Sequence, residues 1–135
     1  VYGDIIGDSN RTLIANVQSA DTVMEQEKVK QLTIILLENA VKYTGDGDKI
    51  KVSLKSAEGG CILSVADTGI GIAEGDEEKI FQRFYRGENA QATKSGSGLG
   101  LAIARNTVEE IGGKIYATRN IPKGLIVTAF LPGRS

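Results

Sequence analysis

Two long stretches of the chain repeat apolar residues at the spacing of an amphipathic helix. The first begins near Glu25, whose charge suits the positive end of a helix, and continues to Tyr43. The second, LGLAIARNTVEEIGG, ends at a glycine pair, which often follows a last helical turn. The shorter stretch EGDEEKIFQRF fits one short helix. The pattern therefore predicts three helices.

Alternating apolar and polar residues predict strands elsewhere. KIKVSLKSA and CILSVADT, with the turn EGG between them, predict one hairpin, and KIYATRN and LIVTAFLP predict another. RTLIANV predicts a further strand, with TVM as a short partner. The order of elements predicts an α+β fold in which helices cover one face of a mostly antiparallel sheet. We expect residues 11–135 to form this domain and residues 1–10 to be a linker remnant or a frayed start.

The composition of the chain excludes several classes of partner and of catalytic site. The 135 residues fit one domain, and a net charge of −1 argues against nucleic acid or an anionic membrane as a partner. The longest apolar run, LTIILL, is too short to span a bilayer. The chain has no histidine and a single cysteine, Cys61, which we expect in the core. A histidine-based triad is therefore excluded, and a structural zinc site is disfavoured.

The strand that ends at Asp67 is followed at once by Gly69 and Gly71. Glycines remove side-chain bulk, so a flat ligand can approach the backbone there. The carboxylate can accept a hydrogen bond from an exocyclic amine such as that of adenine. The alternative is a tight turn in which Asp67 bonds only nearby backbone amides. This motif alone leaves both interpretations open.

A second glycine cluster, SGSGLGLAIA, lies just before the last predicted helix and contains Gly96, Gly98 and Gly100. Backbone N–H groups at a helix start, together with the helix dipole, bind anions such as phosphate. No lysine–serine or lysine–threonine pair follows, so this is not a P-loop. A flexible hinge is the alternative. The polar stretch YRGENAQATKSGSG before it predicts a mobile loop.

Two further stretches carry polar groups beside apolar ones. In ENAVKYT, Asn39, Lys42 and Tyr43 share one helical face, where they could meet a metal, a phosphate and a base. The alternatives are simple packing for Tyr43 and a surface pair between Lys42 and Glu38. In FQRFYRG, Arg83 and Arg86 flank an aromatic pair, and an arginine there could bind anionic oxygens. Phe81 and Phe84 of this stretch are expected to anchor it in the core. In this order, the four motifs describe a nucleotide site covered by a lid.

These motifs resemble those of the catalytic and ATP-binding domain of bacterial sensor histidine kinases, in the superfamily of gyrase, the large heat-shock chaperones and the mismatch-repair ATPases. The N box looks like LLENAVKYT, the two glycine boxes like DTGIGI and GSGLGLAIA, and the F box like IFQRFYRG, in family order and spacing. The resemblance runs from about Arg11 to Pro132. It implies a two-layer α/β sandwich of the Bergerat type, with three helices on one face of a mixed five-stranded sheet and a mobile ATP lid.

The resemblance also implies a role for each matching residue. Asn39 would coordinate Mg²⁺ on the phosphates, Lys42 and Arg86 would contact phosphate oxygens, and Asp67 would bond the adenine amine. Residues 87–95 would form the lid. The residues implied to bind ATP are Asn39, Lys42, Tyr43, Asp67, Gly69, Ile70, Gly71, Ile72, Phe84, Arg86, Lys94, Ser95, Gly96, Ser97, Gly98, Leu99, Gly100, Leu101 and Thr128. Those implied to act in catalysis are Glu38, Asn39, Lys42 and Arg86.

Two positions depart from the family pattern. Ile35 stands one helical turn before Asn39, where hydrolysing relatives carry an acid that activates water. Transfer to a separate acceptor is therefore favoured over hydrolysis. Leu125 follows Gly124 where threonine or serine is common, which puts one minor polar contact in doubt. Glu38 matches an acidic position common in the kinases, where it would orient or deprotonate an acceptor.

Since the chain has no histidine, the acceptor is expected on a separate dimerisation domain, with a response regulator receiving the phosphate next. The resemblance implies a cytoplasmic, monomeric domain of a membrane-anchored sensor, without direct contact with membrane or nucleic acid. The alternatives are a non-catalytic ATP-binding switch module and a serine kinase of the same superfamily. Phosphate transfer to a supplied histidine domain would exclude the first, and labelling of a serine-bearing partner would support the second.

Overall fold

The computed structural model describes residues 12–18, 20–82 and 99–134. Its elements, in chain order, are strand β1 (Thr12–Val17), helix α1 (Gln26–Lys42), strands β2 (Lys49–Ala57) and β3 (Gly60–Asp67), a 3-10 helix (Lys79–Phe81), helix α2 (Gly100–Glu110), and strands β4 (Lys114–Arg119) and β5 (Leu125–Pro132). Both predicted hairpins and both predicted long helices are confirmed. Neither α-helix of this described part combines the length and the apolar character needed to cross a membrane.

The five strands form one sheet in the order β1-β2-β3-β5-β4. β1 pairs with β2 in parallel, while the β2–β3, β3–β5 and β4–β5 pairs are antiparallel. The predicted mixed five-stranded sheet is thus confirmed. β3 occupies the centre, so hydrogen bonds from both sides fix the strand that ends at Asp67.

The hydrophobic core lies between the two helices and one face of the sheet. Alternate residues of β3 and β5 are buried, because successive side chains of a strand point to opposite faces. The largest fully buried side chains of the core come from both layers: Leu32, Leu36, Leu37, Ile50, Leu63, Leu125 and Leu131. Burying each such side chain contributes roughly 1.5–3 kcal/mol. This packing holds the ends of the elements at fixed positions relative to one another.

The predicted short helix over EGDEEKIFQRF is not an α-helix in its described part. Within residues 74–82 the helical element is the 3-10 turn Lys79–Phe81. Gly75 precedes it at φ +91°, and Gln82 after it is already extended with ψ 149°, so no longer helix fits between them. Ile80 and Phe81 instead pack into the core. The described residues therefore contain two α-helices rather than the expected three.

The predicted short strand over TVM is wrong. Residues 22–24 have no strand geometry, although the Val23 N–H donates to the Pro132 carbonyl at 2.9 Å. The Met24 N–H donates to the Thr22 hydroxyl at 3.1 Å, and its side chain is only 3% exposed. Met24 fills the core just before α1 while Val23 is exposed, so the segment does not extend the sheet.

Candidate functional site

Asp67 is a buried carboxylate at the end of the central strand, with 2% of its surface exposed. One carboxylate oxygen, Oδ1, accepts the Gly69 N–H at 2.9 Å and the Leu125 N–H at 3.3 Å. The other oxygen, Oδ2, accepts no hydrogen bond from the described residues. The two oxygens therefore differ in role. The hydrogen bonds to Oδ1 fix the orientation of the carboxylate, and Oδ2 can accept a hydrogen bond from another donor.

Burial raises the pKa of Asp67 from 3.8 to about 6, because the charged form loses its hydration. The two backbone N–H groups on Oδ1 lower the pKa, and the charge of Asp48 raises it further, but burial dominates. Asp67 is consequently ionised above about pH 6 and can then accept hydrogen bonds on both oxygens.

The loop after Asp67 lies tightly against the end of α1. The Ile70 N–H donates to the Tyr43 carbonyl oxygen at 2.9 Å, and a Cβ at Gly69 would overlap that same oxygen. The sequence pattern suggested that Gly69 leaves space for a ligand. In the structure, its lack of a side chain is also what lets the loop reach the helix.

Ile70 and Ile72, on either side of Gly71, differ in their burial. Gly71 has φ +72°, and a Cβ there would be 3.4 Å from the Gly124 carbonyl oxygen. Ile70 is 48% exposed, whereas Ile72 is 8% exposed and belongs to the core. Of the two isoleucines predicted to line the site, Ile70 is the one that a ligand could cover.

The turn between β4 and β5, which the sequence pattern did not indicate, packs against the other side of Asp67. The Asn120 Nδ2 donates to the Asp67 carbonyl oxygen at 2.7 Å. Gly124 has φ +112°, and a Cβ there would overlap the same oxygen. The signal in the sequence is an asparagine at the start of a short turn, which does not reveal a contact across 53 positions.

The predicted polar face of α1 lies where the helix approaches this loop. Asn39 and Lys42 are partly buried, and Glu38 is exposed. Tyr43 is 4% exposed, as expected if it packs in the core, and the Lys42 Nζ lies 5.7 Å from the centre of its ring. Asn39 and Lys42 thus remain candidates for polar contacts with a ligand, and the Tyr43 ring lies beneath the Lys42 ammonium group.

The start of α2 lies beside α1, one turn before Asn39. Gly100 is the first helical residue, and a Cβ there would be 3.5 Å from Cγ2 of Ile35. No acidic residue occupies the first turn of α2, so its side chains do not neutralise the positive end of the helix dipole. Leu99 and Gly100 are partly buried, and Leu101 packs in the core.

The remaining predicted site residues divide into two groups. Phe84, Arg86, Lys94, Ser95, Gly96, Ser97 and Gly98, together with the predicted lid, lie outside the described residues. Thr128 is described, and it lies opposite Ser64 and Tyr116 in the sheet. Its neighbours Val127 and Ala129 face the core, so Thr128 points away from it, whereas Asp67 is buried on the core side. Its predicted contact with ATP stays a prediction.

The described elements thus place hydrogen-bonding groups of opposite character along the second half of α1. A carboxylate oxygen is available at the end of β3, and N–H groups with a positive dipole stand at the start of α2. Asn39 and Lys42 of α1 lie in the helix that contacts both. Such an arrangement fits a ligand with an amino group at one end and negative charge at the other.

Comparison with known proteins identifies the family. Residues 24–135 match the family described as histidine kinase-, DNA gyrase B- and HSP90-like ATPase. The chain belongs to this family. Similar curated members are sensor histidine kinase Hik2 of Synechocystis, 39% identical over 96% of this chain, sensor protein CiaH of Streptococcus pneumoniae, 39% over 93%, and sensor histidine kinase WalK of Bacillus subtilis, 40% over 88%. The chain spans 31%, 29% and 20% of their lengths.

Solved structures of family members share the fold. The mycobacterial sensor histidine kinase MprB superposes with a TM-score of 0.83 at 26% identity, covering 97% of this chain and 90% of that chain. The catalytic domain of histidine kinase ThkA gives 0.80 at 30% identity, covering 98% and 86%. ThkA in complex with response regulator protein TrrA gives 0.78 at 27% identity, covering 98% and 37%. The predicted fold and the predicted resemblance to histidine kinase catalytic domains are confirmed.

Proposed function

We propose that this ATPase-family domain binds ATP with the adenine amine on the carboxylate of Asp67. The observation that supports this most strongly is the difference between the two carboxylate oxygens. Oδ1 is occupied by the Gly69 and Leu125 N–H groups, while Oδ2 has no donor among the described residues. An exocyclic amine supplies the missing donor. Burial of Asp67 makes an unfilled hydrogen bond costly there, so the interaction favours adenine over a base without an amine.

The phosphates would lie at the start of α2. Backbone N–H groups and the positive helix end at Gly100 attract anions, and Lys42 adds charge from α1. Asn39 would offer an amide oxygen to Mg²⁺. The described residues contain no cluster of three or more His, Cys, Asp or Glu side chains that could hold a metal ion. A magnesium ion that takes its other ligands from phosphates and water fits this donor set, and it would neutralise charge on the phosphates.

The activity that we propose is transfer of the γ-phosphoryl group to a histidine outside this chain. The chain itself has no histidine, and the apolar Ile35 next to Gly100 cannot activate water. The relatives named sensor histidine kinases support this acceptor. The complex of ThkA with its response regulator supports such a regulator as the next partner. This domain would then be the cytoplasmic kinase part of a longer, membrane-anchored sensor.

The test supplies the acceptor in trans. The chain is incubated with Mg²⁺, γ-labelled ATP and the histidine-bearing domain of WalK or Hik2, beside the same domain with its histidine replaced. We expect acid-labile label on the intact acceptor only, and none without Mg²⁺. Label on a serine would indicate the serine kinase alternative. A chain that binds ATP but labels no acceptor would contradict the proposed transfer and favour a switch module.

A further inference from the structure

The turn between β4 and β5 holds Asp67 through two of its residues. The Asn120 Nδ2 donates to the Asp67 carbonyl oxygen at 2.7 Å, and the Asn120 Oδ1 accepts the Ile121 N–H at 2.9 Å. The Asn120 N–H closes the turn onto the Gly124 carbonyl at 3.1 Å. Both ends of the side-chain amide are therefore engaged, and its orientation is fixed.

Leu125, at the other end of the turn, makes a second hydrogen bond to Asp67. The Leu125 N–H donates to Oδ1 of Asp67. Gly124, the residue before it, lies against the Asp67 carbonyl oxygen. Asn120 thus holds the main chain of Asp67, while Leu125 holds its carboxylate. If the bond from Asn120 is lost, the turn can move away and take the Leu125 N–H with it.

We propose that Asn120 is a positioning residue for nucleotide binding, which keeps the Leu125 N–H on Oδ1 and so keeps Oδ2 directed at the adenine amine. This inference rests on the proposed function. It also predicts a change in the pH dependence of binding. When Asp67 is protonated, the proton must go to Oδ2, because Oδ1 accepts two N–H groups. Oδ2 then becomes a donor facing a donor, and the adenine contact is lost.

The pH dependence separates positioning from general destabilisation. Affinity of the wild type should fall as the pH drops through about 6, the pKa of Asp67. A hydrogen bond to the charged form lowers a pKa, so loss of the Leu125 bond should move this midpoint upward. Asp48 is the other charged group that acts on Asp67, and it pairs with Lys123 of the same turn at 3.8 Å. Lys123→Ala therefore measures how far loss of the Asp48–Lys123 pair alone moves the pH midpoint of binding.

The experiment is calorimetric titration of Mg-ADP from pH 5 to pH 8.5. The variants are Asn120→Ala and Asn120→Ser, whose hydroxyl is too short to reach the Asp67 carbonyl. The controls are Lys123→Ala and Asn16→Ala, on the edge strand β1 far across the sheet. We expect both Asn120 variants to bind about tenfold more weakly at pH 8, with a midpoint up to about one pH unit higher. Neither control should reproduce this shift.

Two negative results have different meanings. If the Asn120 variants keep the affinity and the pH midpoint of the wild type, Asn120 is not a positioning residue, even if the variants are less stable. If the folded wild type binds no Mg-ADP at any pH, the proposed ATP site itself is wrong. Should Asn120→Ala fail to fold, the midpoint of Asn120→Ser decides: a raised midpoint supports the proposal, and an unchanged one overturns it.

Discussion

At the scale of single residues, burial of Asp67 gives the site its acceptor at a cost in stability. The folded chain holds the carboxyl group at a pKa of about 6, against 3.8 for an ordinary aspartate. Between these values the folded state binds more protons than the unfolded state. The contribution of Asp67 to stability is therefore complete below about pH 4 and is lost as the pH rises through about 6.

Replacing Asp67 with asparagine should accordingly stabilise the domain at neutral pH. The asparagine Oδ1 can still accept both N–H groups, but the variant has no charge to bury. Two pKa units correspond to about 3 kcal/mol, so we expect Asp67→Asn to raise the free energy of unfolding at pH 8 by up to about 3 kcal/mol. The gain should disappear near pH 4. Urea unfolding at both pH values measures it.

The control for this change is Asp46→Asn, which removes a carboxylate from an exposed loop position. It should change the free energy of unfolding by about 0.5 kcal/mol or less. An Asp67→Asn variant that is less stable than the wild type at pH 8 would show that the ionised carboxylate stabilises the fold, contrary to this account.

The sequence alone could identify Asp67, because a carboxylate at a strand end followed by glycines is a local pattern. The bond from Asn120 depends on residues 53 positions apart, which no local pattern connects. The orientation of Thr128 could also be predicted. Strand alternation places Val127 and Ala129 on the core side, which leaves Thr128 on the opposite face.

At the scale of elements, the loop after β3 is held between the end of α1 and the β4–β5 turn. The Ile70 N–H bonds the Tyr43 carbonyl on one side, and Gly124 contacts the Asp67 carbonyl on the other. Each close approach occurs at a glycine. The separation between α1 and this loop therefore depends on the absence of a side chain at Gly69.

Gly69→Ala should be strongly destabilising, because its Cβ would overlap the Tyr43 carbonyl, which is backbone and cannot rotate away. We expect a loss of about 2–3 kcal/mol in the free energy of unfolding by urea denaturation. The matched control is Gly45→Ala, in the loop after α1, where a Cβ meets nothing within 4 Å. That change should cost less than about 0.5 kcal/mol. Equal effects at the two glycines would contradict the close packing described here.

The predictions of whole elements succeeded where periodicity was long and failed where it was short. The hairpins and α1 each extend over many repeats of one period, so the pattern is unambiguous. Around Ile80 and in TVM, a few apolar residues enter the core from irregular backbone. One or two isolated apolar residues give the same sequence pattern whether the backbone around them is helical, extended or irregular.

At the scale of the whole molecule, the fold brings three distant segments to one region. Asp67 comes from the central strand, Asn39 and Lys42 from the first helix, and Gly100 from the start of the second. The order of the motifs could indicate this region through the family resemblance. Its geometry could not be predicted, because it depends on the packing of both helices on the sheet.

The most direct test of the central claim is calorimetric titration of a non-hydrolysable ATP analogue with Mg²⁺ at pH 8. The wild type, Asp67→Asn and Asp46→Asn are compared, each shown to be folded. We predict binding by the wild type and Asp46→Asn, and binding at least about tenfold weaker for Asp67→Asn, whose amide nitrogen would face the adenine amine. Equal affinity of the wild type and Asp67→Asn, or no binding by the folded wild type, would contradict the account.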